Sequence, residues 1–335
     1  MENRVWVVEA AGGGFVQSEI PLASLKPGEV LVEIATSGVS VLDTKIRAGK
    51  AAHAKQPLPA VLGLEMAGTV VEAGPSVTAF RAGDEVYGMV GGVGGLQGTL
   101  AQFVAADARL LARKPRALSM RETAALPLNC ITAWEGLVDR ARISPGKTVL
   151  VHGGAGGVGH LAVQIAKAFG ARVYATVSKG KAAIVQSYGA TPIDYTTTSV
   201  EEYVATYTQA EGFDIIYDTQ GGSTLDASFQ AVKSYTGHVV SCLGWGTHSL
   251  APLSFRAAAY SGVFTLLPLL TGKGRARHGE ILSSAGELVD AGKLKPLVNE
   301  SRFTTSQLAA AYLAAESGAT GKAVVEIRHS RQERT

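Results

Sequence analysis

The segment that most limits the fold is the apolar run Thr148–His152 (TVLVH) and the glycine-rich stretch just after it, Gly154-Ala155-Gly156-Gly157-Val158-Gly159. The run has the length and texture of a buried strand. Val158–Phe169, which follows, carries the apolar pattern of a helix. A G-x-G-x-x-G spacing placed between strand and helix has specific uses. Gly154 is expected to permit the tight turn, and Gly156 to let the main chain approach a diphosphate. Gly159 is expected to let helix and strand pack closely. The helix N-terminus adds free N–H groups and partial positive charge. Gly154, Ala155, Gly156, Gly157 and Val158 are therefore expected to cradle the phosphates of a dinucleotide. The competing reading is a glycine-rich turn with no ligand.

The next strand bears on which dinucleotide. NAD sites place an acid about 20 residues on, against the ribose hydroxyls. Here Arg172–Val177 ends in Ser178-Lys179-Gly180-Lys181, and no acid occurs before Asp194. A hydroxyl and ammonium groups attract a 2′-phosphate that a carboxylate would repel. The sequence therefore predicts NADPH, with ordinary surface lysines as the alternative.

Strand and helix patterns alternate onward through Lys181–Tyr188, Phe213–Asp218, Thr224–Val232 and His238–Leu243, which predicts a doubly wound parallel sheet. Earlier in the chain, Val30–Ala35, Gly68–Ala73, Glu85–Tyr87 and Ala101–Ala105 read as short strands, separated by glycine and proline turns. Ala124–Arg142 reads as a helix. So do the regions of Glu280–Ala291 and Thr305–Ser317. Ala323–Ile327 reads as a last strand. The fold class expected is α/β, with a β-rich domain beside a Rossmann-type domain.

Composition excludes several classes. Hydrophobic residues are 46% and charged residues 18% of the 335, which excludes a disordered chain. A net charge of +3 gives no basis for nucleic-acid binding. The dense basic stretch Lys273–His278 reads as a solvated loop. Two cysteines, Cys130 and Cys242, cannot form a four-cysteine zinc lobe. Val263–Leu270 is too short to span a bilayer. The N-terminus lacks the pattern of a signal peptide, so a cytoplasmic setting is expected. The Gly91–Gly98 segment is expected to be either mobile or tightly folded.

Further segments extend the picture: Ser37–Gly49 (SGVSVLDTKIRAG), Pro59–Gly68 (PAVLGLEMAG), Gly83–Gly88 (GDEVYG), Ala124–Pro127 (AALP) and Tyr217–Gly222 (YDTQGG). With the glycine turn, these resemble the zinc-free medium-chain dehydrogenases/reductases, close to the NADPH-dependent quinone oxidoreductases of the zeta-crystallin group. The resemblance implies a GroES-like catalytic domain at 1–122 and 265–335 and a Rossmann domain at 123–264. It also implies a cofactor cleft between them, and a homodimer, with the strand-like Gly262–Leu267 as a possible pairing edge.

It assigns Ser40 and Thr132 to the nicotinamide end, and Ser178, Lys181 and Tyr195 to the 2′-phosphate. Leu243, Gly244, Phe264 and Lys322 complete the expected cofactor set. Zinc enzymes of this superfamily carry a cysteine where this chain has Ser40 and a histidine where it has Leu64. Leucine offers no lone pair, so no metal is expected. Glu65 is expected to be structural, paired with Arg47 or Lys322. Asp43 is expected to order its loop.

Without a metal, the chemistry expected is hydride transfer to a quinone or an α,β-unsaturated carbonyl, whose conjugation spreads the developing charge. No residue stands out as the acid; Ser40, Lys45 and His53 are the candidates. The alternatives are an enoyl-thioester reductase and an NADPH-binding protein with little turnover.

Overall fold

Glycines and prolines cut the first third of the chain into short extended segments, and the computed structural model, which describes residues 2–22 and 24–327, is accordingly strand-rich there. In chain order the elements are β1 (Glu2–Val8), β2 (Phe15–Pro21), β3 (Glu29–Val39), α1 (Val41–Arg47), β4 (Ala60–Val61), β5 (Glu65–Ala73), β6 (Glu85–Met89), β7 (Phe103–Asp107), β8 (Leu111–Arg113) and α2 (Met120–Thr123). Next come α3 (Pro127–Trp134), β9 (Thr148–His152), α4 (Gly157–Ala168), β10 (Arg172–Val177), α5 (Ala182–Ser187), β11 (Thr191–Asp194) and α6 (Val200–Thr208). They are followed by β12 (Ile215–Asp218), α7 (Ser223–Ala231), β13 (His238–Ser241), α8 (Ala251–Arg256) and β14 (Ala259–Gly262). The chain closes with α9 (Leu267–Thr271), α10 (Arg275–Asp290), β15 (Phe303–Thr304), α11 (Leu308–Glu316) and β16 (Ala323–Glu326).

These elements form two compact units. The first takes in Met1–Leu128, Leu266–Asp290 and Pro296–Thr335 of the chain; the second takes in Asn129–Thr265 and Ala291–Lys295. In the first, β2-β1-β4 make a small antiparallel sheet. A larger sheet runs β15-β16-β3-β5-β6-β8, with β7 also on β3. The centre of this sheet is apolar: Val30, Val32, Ile34, Val70 and Val86 are all buried.

The second unit holds a six-stranded, wholly parallel sheet in the order β11-β10-β9-β12-β13-β14. The strand order reverses between β9 and β12. That makes a crevice at the carboxyl ends of the strands, where open α/β sheets bind ligands. The core beneath packs Leu150, Ile216, Phe213 and Phe229.

Several expectations need correction. The basic stretch Lys273–His278 is not a solvated loop. Arg275 opens α10, ion-pairs with Asp107 at 3.1 Å and bonds to the carbonyls of Pro268 and Leu269, while His278 is fully buried. Gly262–Leu267 is not a strand: β14 ends at Gly262, and Leu267 starts a helix whose first turn holds Pro268, a position that lacks an acceptor for the missing N–H anyway. Of the two states expected for Gly91–Gly98, which needs no correction, the structure has the tightly folded one. Its N–H groups bond to Leu64, Leu96, Ala54 and Val61, and a Cβ at Gly91 would strike the Gln97 carbonyl. The helix expected over Ala124–Arg142 begins at Pro127 and passes into a π-helical turn at Glu135–Arg140.

Candidate active site

The glycine turn joins β9 to α4 as its spacing requires, but the tight-turn role expected of Gly154 falls one residue earlier, while Gly159 keeps the role expected of it. The left-handed residue is Gly153, with φ +70°, and not Gly154. Gly154 instead lies against Ala175 of β10, where a Cβ would come within 2.5 Å of its methyl group. A Cβ at Gly159 would collide with the Gly153 carbonyl, so this glycine is what lets α4 sit on the turn. Gly156 is the N-cap of α4, and its N–H bonds to Gly153 O at 2.8 Å. Gly156 and Gly157 are exposed and Val158 is half-buried, so the first turn of a twelve-residue helix opens outward. The N–H groups of that turn lack intrahelical acceptors. The cradle therefore fits a dinucleotide diphosphate.

Other expected residues lie at the same ends of the same sheet. Ser178 follows β10 and is half-buried, and its carbonyl accepts the Lys181 N–H at 2.9 Å. Asp194 ends β11 in register with Val177, so the sheet brings an acid closer than the sequence suggested. One of its oxygens already holds Thr196, accepting from N–H at 3.0 Å and from Oγ1 at 2.6 Å. Tyr195, next in the chain, is exposed. Leu243 follows β13, and its N–H donates to Ser241 Oγ. A Cβ on Gly244 would strike the Tyr260 hydroxyl. Phe264 is partly exposed.

Thr132 is buried in α3, and its hydroxyl meets Thr265 Oγ1 at 3.0 Å. Thr265 in turn donates to Glu135 Oε2 at 3.1 Å. A carboxylate only accepts, so Thr265 gives its hydroxyl proton to Glu135. Tyr217 adds a 2.6 Å bond to the Thr132 carbonyl. Thr265 and Glu135 carry no local signal that would have marked them.

In the β-rich unit, Ser40 caps α1 through a reciprocal box with Asp43. The Asp43 Oδ2 accepts from the Ser40 N–H at 2.8 Å and from its hydroxyl at 2.7 Å. Asp43 thus orders this turn, as expected. Burial raises its carboxyl to about 6; the Ser40 bonds and the Lys322 charge oppose the shift, and Glu65 adds to it. Lys322 is buried and ion-paired with Glu65, whose other oxygen accepts the Leu128 N–H at 2.8 Å. Arg47, the other partner considered for Glu65, bonds to Gly13 O and stacks on Phe15 and Tyr312. Lys45 is exposed on α1. Burial, and then the charge of Lys45, hold His53 below the usual imidazole range.

Comparison with known proteins agrees with these two units. Residues 26–116 match the alcohol dehydrogenase GroES-like domain, and residues 157–268 match the zinc-binding dehydrogenase family. The chain is 36% identical to 2-methylene-furan-3-one reductase of Solanum lycopersicum, over 92% of this chain and 74% of that protein. The chain belongs to the medium-chain dehydrogenase/reductase superfamily and is an oxidoreductase. It is also 35% identical to the chloroplastic NADPH-dependent alkenal/one oxidoreductase of Arabidopsis thaliana, over 97% of this chain and 79% of that protein. Among solved structures, an alcohol dehydrogenase superfamily protein from Novosphingobium aromaticivorans superposes with a TM-score of 0.95 at 54% identity, over 97% of this chain and all of the other.

One family description implies zinc, and the donor set does not fit it. The Ser40 hydroxyl is committed to Asp43, Leu64 is apolar and fully buried, and Glu65 is held by Lys322 and Leu128. Burial pushes the Cys130 and Cys242 thiols up to about 12. Among the described residues no three His, Cys, Asp or Glu side chains are grouped to hold a metal ion. Nor is any described helix long and apolar enough to cross a membrane.

Proposed function

We propose that this oxidoreductase uses NADPH, without zinc, to reduce the conjugated double bond of an α,β-unsaturated carbonyl or the ring of a quinone. The observation that carries the reading is the glycine cradle at the end of β9, with Ser178 and Lys181 beyond the end of β10. The printed activities of the tomato and Arabidopsis relatives support the substrate class. The first-turn N–H groups of α4 and the exposed Gly156 and Gly157 hold the diphosphate. Ser178 and Lys181 hold the 2′-phosphate, with Tyr195 beside them, and Leu243, Gly244 and Phe264 line the sheet end. Thr132, beside Thr265 and Glu135, meets the carboxamide of the nicotinamide.

A bound reduced nicotinamide supplies the hydride. Conjugation spreads the resulting negative charge, so the substrate needs no Lewis acid. The Ser40 proton is committed to Asp43, and His53 is neutral at pH 7. That leaves Lys45 and solvent water as acids for the enolate. Lys322 stays bound to Glu65 and holds the β-rich scaffold in place.

Product analysis tests the reading. With 4-deuterated NADPH and a small enone, the saturated ketone should carry deuterium at the β-carbon. Formation of the allylic alcohol, or no turnover across enones and quinones, would overturn it.

A further inference from the structure

The glycine turn rests on a buried polar arrangement to which the sequence motifs give no role. His152, the last residue of β9, is 4% exposed. Its Nδ1 lies 3.1 Å from Thr176 Oγ1 on β10. The same Oγ1 accepts the N–H of Gly153 at 3.1 Å, and the Thr176 carbonyl accepts the N–H of Gly154 at 3.0 Å. Thr219 Oγ1 donates to the His152 carbonyl at 2.7 Å. The second ring nitrogen, Nε2, is buried without a hydrogen-bond partner.

The Thr176 hydroxyl has one proton and two lone pairs. One lone pair serves Gly153, whose main-chain N–H can only donate. The hydroxyl proton needs an acceptor, and His152 Nδ1 is within reach. The imidazole must then carry its proton on Nε2. A doubly protonated ring would offer Nδ1–H to Thr176 and leave the hydroxyl proton without this acceptor. Burial, opposed only in part by the charge of Asp218 on β12, lowers the imidazole to about 4, which keeps the ring neutral. An Nε2–H buried without a partner carries a desolvation cost that an apolar side chain would avoid. What the imidazole returns is the acceptor at Nδ1.

We propose that His152 is a positioning residue for the dinucleotide: its neutral ring accepts the Thr176 hydroxyl proton at Nδ1, aims a Thr176 lone pair at the Gly153 N–H, and so fixes the left-handed residue on which the phosphate cradle turns. This rests on the reading of the turn as a dinucleotide site. The link runs within one sheet: His152 and Thr176 face each other in register on β9 and β10, and the turn begins one residue later.

The test uses the full chain, with NADPH affinity read by fluorescence titration and the ring protonation by ¹⁵N NMR. His152→Leu should raise the NADPH Kd about tenfold, as for the loss of one hydrogen bond of about 1.4 kcal/mol, with kcat at saturating NADPH within about twofold of wild type. Thr176→Val should do the same, and the double variant should be no worse than either single one, because all three break one chain of bonds. His152→Asn places an oxygen near the position of Nδ1 and should restore Kd to within about threefold of wild type. The NMR signal should report Nδ1 unprotonated from pH 8 down to pH 5.

A protonated Nδ1, additive losses in the double variant, or a folded His152→Leu that binds as tightly as wild type would each overturn the inference while NADPH binding itself stands. A wild-type chain that binds no NADPH overturns the cofactor reading and this inference with it. If His152→Leu does not fold, Thr176→Val, His152→Asn and the NMR signal decide.

Discussion

His152 in the doubly wound unit and Asp43 in the β-rich unit are both buried, both titratable and both bonded to a neighbouring hydroxyl. Burial moves them in opposite senses. It favours the neutral form in each case, which lowers the imidazole to about 4 and raises the carboxyl to about 6. The surroundings differ as well. The polar groups under the glycine turn are mostly uncharged hydroxyls and main-chain groups, with the Asp218 carboxylate nearby. The neighbours of Asp43 are the ion pair of Glu65 and Lys322. Under the glycine turn, the hydrogen bonds do not change near neutral pH. The β-rich unit secures its scaffold with buried charges.

The linkage signs follow. The folded imidazole lies below its ordinary value, so its contribution to stability is full above about pH 6.5 and is lost as the pH falls through 4. The folded Asp43 lies above its ordinary value, so its contribution is full below about pH 3.8 and is lost as the pH rises through 6. Between about pH 4 and pH 6 the two slopes oppose each other and nearly cancel.

The comparison can be broken at several points. The largest effect is expected from Lys322→Met, which strands the buried Glu65. It should cost about 3–5 kcal/mol in denaturant unfolding, and much of this should return in a Glu65→Leu/Lys322→Met double variant. A double variant no more stable than the single one would mean that the pair is not the source of the loss. Gly159→Ala comes next. Its methyl group overpacks the turn against Gly153, so about 1–3 kcal/mol should be lost, and the NADPH Kd should rise about tenfold or more. Unchanged affinity would show that the cradle does not depend on this close approach. The smallest effect per step is Asp43→Asn. Relative to wild type its stability should climb by up to about 1.4 kcal/mol per pH unit between pH 4 and 6, and a flat difference would remove Asp43 from the account.

The two regions were not equally legible. The cradle is local: strand, turn and helix lie within one stretch, and TVLVH and Arg172–Val177 match β9 and β10 to the residue. Even so, Gly153 rather than Gly154 takes the left-handed conformation, because the chain turns one residue earlier, where β9 ends. Partners remote in sequence were harder to read. Glu65–Lys322 could be named only as one of two options, and Thr265 and Glu135, the partners beside Thr132, gave no signal at all. Arg275 looked like a solvated basic residue because its partner, Asp107, lies far back in the chain. The hairpin of β1 and β2 was missed because β2 is mostly exposed and polar, and is held by register rather than by an apolar face. Asp194 is the instructive case: distant along the chain from the glycine turn, it sits beside Val177 by parallel register, yet one of its oxygens is already given to Thr196.

The central claim is that the doubly wound unit is built for the 2′-phosphate of NADPH. Parallel fluorescence titrations of the full chain and of Lys181→Ala with NADPH and NADH test it most directly. The account predicts that wild type binds NADPH at least about tenfold tighter than NADH, the worth of a charge-assisted hydrogen bond. Lys181→Ala should lose most of that preference while its affinity for NADH is unchanged. Equal or tighter binding of NADH by the wild-type chain would contradict it.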